Sequence, residues 1–150
     1  MNKIHDLLNE MLAVYWSASI QHRSHVAVIA AEGASLLATE MESKIADEPE
    51  TIIKLQNRLL DLGGQIRFTI KHPNIGTNLR EALENDYELQ KNARIGLNQW
   101  AETASSEHDA TTRILIEEIL ADEEEHLSWL EQELDLLEKL GEPLYLSKRM

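Results

Sequence analysis

Apolar residues recur every three or four positions along most of this chain, which is the spacing of one face of an α-helix. The longest uninterrupted stretch of this kind lies between Glu117 and Gly141, and its apolar positions are Leu120, Leu127, Leu130, Leu134 and Leu137. The alternation of β-branched and polar residues that is typical of strands is absent from the sequence. The pattern therefore predicts an all-α protein.

The same periodicity predicts four long helices separated by glycines and short polar turns. Their predicted bounds are Ile4 to about Ala31, about Leu36 to Leu62, Asn78 to about Ala104, and roughly Ala110 to Leu140. Gly33 ends the first helix, and Ser35 is a candidate N-cap for the second. The tail that follows Gly141 has room for little more than two helical turns.

Pro49 lies inside the periodic pattern of predicted helix two. A proline in a helix interior removes one backbone hydrogen bond and costs about 3 kcal/mol. Two interpretations compete: a continuous helix with a kink, or a break with Asp47 or Glu48 capping a new helix. Because the apolar period continues across the proline, we expect a kinked helix in which Glu48 faces inward.

Gly63 and Gly64 end helix two, and the segment from Gln65 to Thr77 has no helical period and is too long for a tight turn between neighbouring helices. We interpret it as a crossover that carries the chain along the length of a bundle. Four long helices with one long crossover between the second and third form the ferritin-like arrangement of a four-helix bundle. We expect residues 1–150 to form a single domain of this kind, with a short C-terminal helix or tail.

Polar side chains interrupt the apolar stripes at one level of the predicted bundle. On helix four, Glu123 and His126 are three residues apart and therefore point the same way. The corresponding inward positions on the other helices are Tyr15, Glu48, Thr51 and Gln90. A buried carboxylate and imidazole are costly unless they are paired or bind a metal.

Composition excludes several other kinds of chemistry. The 150 residues include no cysteine, so disulfides, thiolate metal sites and cysteine catalysis are ruled out. The formal net charge of −13 disfavours nucleic acid and anionic membranes as partners and attracts cations. No apolar run reaches the length of a membrane span, and the first residues do not have the pattern of a signal peptide. We expect a soluble cytoplasmic protein.

The sequence resembles the bacterioferritins, most closely at EILADEEEHLSWLEQELDLLEKLG in predicted helix four. This stretch is similar to that family's Glu-x-x-His-x-x-Trp-Leu-Glu signature almost position for position. The resemblance extends to NRLLDLGG at the end of helix two and to IGTNLREALENDYEL at the start of helix three. It implies an iron-storage shell, with a two-fold dimer and 24 subunits, and a di-iron ferroxidase site inside each bundle.

The resemblance places only half of that family's six iron ligands on matching residues of this chain. The matching positions are Glu48, Glu123 and His126. The other three positions hold Tyr15, Thr51 and Gln90, although a shift of register would bring Glu10 to the position of Tyr15. The methionine that binds haem between two bacterioferritin subunits corresponds to Pro49, which has no ligand atom, so no haem is expected.

Two carboxylates and one imidazole are too few donors for two irons, but they suit one divalent ion such as iron or zinc. We therefore predict a site for at most one ion at Glu48, Glu123 and His126, with Tyr15, Thr51 and Gln90 as hydrogen-bonding neighbours or weak ligands. A buried Glu–His pair with no metal is the alternative. His22 and His25, beside the buried stripe of helix one, are expected to serve packing or a subunit interface, and a second metal site there is the alternative.

Three functions are compatible with these residues. The leading one is iron binding and storage by a bacterioferritin-like homo-oligomer whose own di-iron centre is degenerate, which leaves its ferroxidase activity open. The second is a structural or co-assembling ferritin-like subunit with no metal in the bundle. The third, an enzyme with a single metal ion, has no sequence feature that indicates a substrate.

Overall fold

The structure is a computed structural model and describes residues 2–150. Within this range the chain forms six α-helices and no strand. Their bounds are α1 Lys3–Ala31, α2 Ser35–Lys44, α3 Glu48–Asp61, α4 Leu79–Ser106, α5 Ala110–Leu140 and α6 Glu142–Ser147. The predictions of an all-α fold and of the long helices one, three and four are confirmed, and of the two expected forms of the C-terminus, a short helix or a tail, the structure has the helix.

The four-helix bundle consists of α1, the pair α2 and α3, α4, and α5. Helix α4 packs along α5, and α1 contacts α4 as well as α2 and α3. Residues 62–78 form no helix and connect α3 to α4, as expected of the crossover. Hydrogen bonds attach this crossover near its two ends, where Asn9 contacts the segment at Gln65 and Arg67, and Gln21 contacts it at Asn74. No helix within residues 2–150 is both long enough and apolar enough to cross a membrane.

The prediction of one kinked helix around Pro49 is wrong, because the helix is broken. Helix α2 ends at Lys44, residues 45–47 form a turn, and α3 begins at Glu48 with Asp47 as its N-cap. The break places Pro49 in the first turn of α3, where its missing N–H needs no partner. The apolar period continues across the break, and for that reason the pattern could not reveal it.

Ser35 does not cap α2, contrary to expectation. The N-cap is Ala34, which has no side chain able to cap, and Ser35 is the first residue of the helix. The free amides of this helix end are bound from the other end of the chain. The carbonyl oxygen of Arg149 accepts from the N–H of Leu36 at 2.9 Å and from that of Leu37 at 3.3 Å.

Two separate apolar clusters fill the bundle. One lies around Leu8, Leu12 and Leu59, and the other around Leu37, Leu83 and Leu130. Buried or half-buried polar side chains lie at the level between the two clusters, and we call this set the polar waist: Tyr15, His22, His25, Glu48, Asp86, Gln90, Glu123 and His126. The predicted band of polar groups in the middle of the bundle is therefore present.

Candidate metal centre

Glu123 of α5 is held by two neutral donors from other helices. The hydroxyl of Tyr15 on α1 donates to Oε1 of Glu123 at 2.8 Å, and the amide Nε2 of Gln90 on α4 donates to Oε2. Burial raises the pKa of this carboxyl, and the two hydrogen bonds oppose that rise. Burial and the charge of Glu123 raise the pKa of Tyr15 well above its ordinary value, so this hydroxyl keeps its proton. Both oxygens of Glu123 are thus engaged.

A cavity of about 20 Å³ lies beside this carboxylate, and Tyr15, Glu48, Gln90 and Glu123 all line it. Since one water needs at least about 10–15 Å³, the cavity has room for one water or one small ion. An outer groove of about 490 Å³ lies between α1 and α4. Four side chains line both the cavity and this groove: Val14, Leu89, Ala93 and Trp100. These four apolar side chains separate the cavity from the surface.

Glu48, the first residue of α3, bonds to a histidine of α1. Its Oε2 accepts from Nδ1 of His22 at 2.7 Å, and both side chains are almost fully buried. Burial alone would lower the pKa of His22, but the hydrogen bond to Glu48 and the negative charge of Asp86 outweigh burial and raise it. The break before α3 positions this contact, because it places Glu48 in the first helical turn.

Asp86 of α4 is the centre of a second buried network. Its Oδ1 accepts from Nδ1 of His25 at 2.7 Å and from the amide of Gln21 at 3.0 Å, and it lies 4.0 Å from Nε2 of His22. The backbone N–H of Gly76 donates to Nε2 of His25 at 2.8 Å, so the ring proton of His25 is on Nδ1. Burial opposes ionisation of Asp86, but these donors and the charge of His22 hold its pKa below the ordinary value.

His126 of α5 lies next to His22, with 5.1 Å between the ring centroids, and its other neighbour is Trp129 at 6.3 Å. The residue is only 6% exposed. Burial and the charge of His22 lower the pKa of His126 to about 3. At neutral pH this imidazole therefore carries no charge and has a free nitrogen lone pair.

The predicted site residues divide into two groups. Glu48 and Glu123 line the same small cavity, together with Tyr15 and Gln90, whereas His126 lies on the His22 side of the waist. Thr51 is half-buried and does not line the cavity. Within residues 2–150, no three histidine, aspartate or glutamate side chains converge closely enough, as they stand, to hold one metal ion.

Glu10 does not take the position of Tyr15. Its side chain is exposed and accepts a hydrogen bond from Nε1 of Trp100 at 3.1 Å, across the mouth of the outer groove. The register without a gap is therefore the one that the structure has, and Tyr15 is the α1 side chain beside Glu123.

Sequence analysis missed Asp86 and underrated His22 and His25. The two histidines are three residues apart on α1 and share a face, and Asp86 is four residues before Gln90 and shares its face of α4. This helical spacing was the available signal. Two imidazoles and one carboxylate on converging faces are a more specific pattern than any of them alone.

Comparisons with known proteins agree with this fold. The sequence model of a family described as "Ferritin-like domain" matches residues 5–140. Over 143 residues the chain is 35% identical to a bacterioferritin of Streptomyces coelicolor, which covers 95% of this chain and 86% of that protein. It is 34% identical to bacterioferritin BfrA of Mycobacterium tuberculosis over 140 residues, covering 93% of this chain and 88% of that protein. A crystal structure of BfrA from M. tuberculosis superposes with a TM-score of 0.95 and 31% identity, covering all of this chain and 94% of the other.

Proposed function

We propose that this chain, which belongs to the bacterioferritins within the ferritin-like family, binds and stores iron as a subunit of a homo-oligomer. Iron is here the cargo of the protein. Support comes from the family itself and from the formal net charge of −13, which attracts cations to the protein surface.

We further propose that the chain's own di-iron centre is degenerate. The observation that carries this proposal is the state of Glu123, whose two oxygens accept hydrogen bonds from Tyr15 and Gln90. Neither of these neighbours supplies the negative charge with which carboxylate ligands balance two iron ions. The cavity beside Glu123 also has room for only one small species.

Oxidation kinetics test the degenerate centre. Ferrous iron is added aerobically to the iron-free protein, and the absorbance of the ferric product is followed. A matched comparison is the triple variant Tyr15→Glu, Thr51→His and Gln90→Glu, which restores the ligand types that the family resemblance implies. We expect a rapid phase that consumes two irons per chain in the triple variant only. The same phase in the unmodified protein would refute the proposal.

Iron content tests storage separately from oxidation. The protein is purified from iron-fed cells, and iron per chain is measured by elemental analysis. We expect many irons per chain if the assembled protein stores iron. Less than one iron per chain would instead favour the alternative function, a structural subunit that co-assembles with an active one.

The crossover supports assembly into a homo-oligomer. Its apolar side chains Ile66, Phe68 and Ile70 are exposed, Phe68 by 69%, and the ring of Phe68 contacts Trp16 at 5.0 Å between centroids. Exposed apolar groups in a continuous segment are typical of protein–protein contacts. We expect Phe68→Glu to lower the assembly mass measured by light scattering. An exposed isoleucine on α4 serves as the control, because Ile95→Glu changes a position outside the crossover.

Haem is not part of the proposed function. The residue at the position of the family's haem-binding methionine is Pro49, in the first turn of α3, and it offers no donor atom. Addition of haem to the purified protein should give no bound Soret band at one haem per two chains. A cytoplasmic location is likewise proposed, and cell fractionation tests it.

A further inference from the structure

We propose that His22, Asp86 and His126 bind one divalent transition-metal ion on the α1 side of the polar waist, with Glu48 orienting His22. The proposal deepens the function given above by naming the donors of a single ion. Only the identity of the ion in the cell, Fe²⁺, depends on the proposed function. It differs from the donor set expected from the sequence, since His22 and Asp86 replace Glu48 and Glu123 as ligands.

Unpartnered buried atoms point to this position. Three polar side-chain atoms at the waist are buried without any hydrogen-bond partner: Nε2 of His22, Oδ2 of Asp86 and Oε1 of Glu48. The side chains that carry them are each at least nine-tenths buried. Buried polar groups are nearly always satisfied, and an exception calls for a bound water or ion. Two of the three atoms belong to the proposed ligands His22 and Asp86.

The orientation of His22 is that of a metal ligand. Its Nδ1 bonds to the Glu48 carboxylate at 2.7 Å, which leaves Nε2 facing the waist without a partner. Histidines that bind metals through one nitrogen commonly donate from the other to a carboxylate, and this contact fixes the ring. Glu48 is therefore a positioning residue in this proposal. Its remaining oxygen can bind a water in the small cavity that Glu48 lines.

A small closing movement would bring the His22 ring and the Asp86 carboxylate to one ion. Nε2 of His22 lies 4.0 Å from Oδ1 of Asp86, which also accepts from His25 and Gln21, and Oδ2 of the same carboxylate has no partner. Two donors on one tetrahedral ion at about 2.1 Å are roughly 3.4 Å apart, so Nε2 and the carboxylate must approach each other by about 0.6 Å. Two imidazoles on one such ion have ring centroids about 5 Å apart. The His22 and His126 rings are 5.1 Å apart.

Charge and donor type define the class of ion. The carboxylates of Asp86 and Glu48 can together balance a divalent cation, while both oxygens of Glu123 are already used. Imidazole nitrogens select Fe²⁺, Zn²⁺ and related metals over Mg²⁺ and Ca²⁺, which prefer oxygen. Two histidines and one carboxylate leave open positions for water, as in non-haem iron sites.

Co²⁺ is a suitable probe, because its visible absorption reports both the number of ions and their coordination. Iron-free protein is titrated with Co²⁺, and the spectrum and the binding isotherm are recorded. We expect one ion per chain, with bands of a four- or five-coordinate site. His22→Gln and Asp86→Asn should each weaken binding by at least about 100-fold. Glu48→Gln, which changes the group that orients His22 and removes one of the two balancing charges but no ligand, should weaken it by about 10–100-fold.

Glu123→Gln is the matched control, since it removes a carboxylate of the waist that the proposal does not use. It should leave Co²⁺ affinity within about threefold of the unmodified protein. Circular dichroism confirms that each variant is folded, and Asp86→Asn keeps the shape of the side chain that accepts from His25. Loss of binding in Glu123→Gln, with binding kept in His22→Gln, would overturn the proposal in favour of the sequence-based donor set.

Absence of stoichiometric Co²⁺ binding would overturn it as well. Failure of iron storage has a different signature. In that case iron-fed cells yield protein with little iron while the Co²⁺ titration still saturates at one ion per chain. The two proposals can therefore fail independently.

Discussion

The contact between Arg149 and Glu133 should stabilise the half of the bundle that contains the apolar cluster around Leu37, Leu83 and Leu130. Nε and one terminal nitrogen of Arg149 each donate to a different oxygen of Glu133 at 2.8 Å. Glu133 is 5% exposed, and its other donor is the hydroxyl of Tyr145 at 3.2 Å. The carbonyl of Arg149 also binds the first amides of α2. This one residue thus ties the C-terminus to α5 and to α2.

Arg149→Ala would leave the buried Glu133 carboxylate without its cation. Breaking a buried ion pair by removing one partner costs about 3–5 kcal/mol. The side chain of Arg149 is 18% exposed, so the lower end of this range, about 3 kcal/mol, is the appropriate value. For a domain of this size each kcal/mol shifts the melting temperature by about 2–4 °C, which gives a decrease of about 6–12 °C.

Thermal and urea unfolding followed by circular dichroism measure this loss, at one fixed protein concentration because assembly makes the melting temperature concentration-dependent. Lys139→Ala is the control. Lys139 contacts Asp135 at 2.9 Å, but the two side chains are 70% and 63% exposed, so the expected loss is at most about 1 kcal/mol. Equal losses in the two variants would refute the reasoning. Hydrogen exchange at Leu36 should also accelerate in Arg149→Ala only.

Four further variants test the waist, the crossover and helix α4. Tyr15→Phe removes a donor 2.8 Å from the Glu123 carboxylate and should cost about 1.5–3 kcal/mol of unfolding free energy in urea titrations. The pKa of His22 is raised by its carboxylate neighbours against the effect of burial, so its stabilising contribution is complete below pH 6.5 and is lost as pH rises through the folded-state pKa. Metal-free His22→Gln protein should therefore lack this alkaline loss of stability, and a parallel decline in both proteins would contradict the assignment. Gly76→Ala would place a Cβ 2.7 Å from a side-chain carbon and 2.8 Å from a backbone nitrogen of α4, and should cost about 1–3 kcal/mol. Gly96→Ala meets only the end of a tryptophan ring at 3.4 Å inside a helix, so it should be neutral or stabilising by up to about 1 kcal/mol.

The long helices α1, α4 and α5 could be predicted from sequence because each keeps one apolar face over seven or more turns. The spacing of apolar residues cannot reveal a break in a helix when the apolar residues on both sides of the break still face the core. The turn at residues 45–47 is such a break, since the apolar positions Met41, Ile45 and Leu55 remain on the core side before and after it. The proline was the better signal, because a continuous helix would have carried the cost of its missing N–H.

The location of the waist could also be predicted, but its pairing could not. Inward positions on four helices had to meet at one level, and Tyr15, Gln90 and Glu123 do so. The carboxylate to which each histidine donates a hydrogen bond depends on side-chain rotamers and on distances between helices. His22 bonds to a residue 26 positions away and His25 to one 61 positions away. Likewise, nothing near Ser35 in the sequence indicates that α2 is capped from the C-terminus.

The polar waist has an energetic cost that an ion would offset. Ionisable groups between two apolar clusters lose hydration, and a bundle with well-packed apolar residues at this level would be as stable or more stable. Asp86 is compensated by His25 and Gln21, yet one oxygen of Asp86 and one nitrogen of His22 remain without partners. A divalent cation between them would satisfy both atoms at once and balance the carboxylate charge. These atoms without partners are the physical reason for placing the ion at His22 and Asp86 and not at Glu123, whose oxygens already have donors.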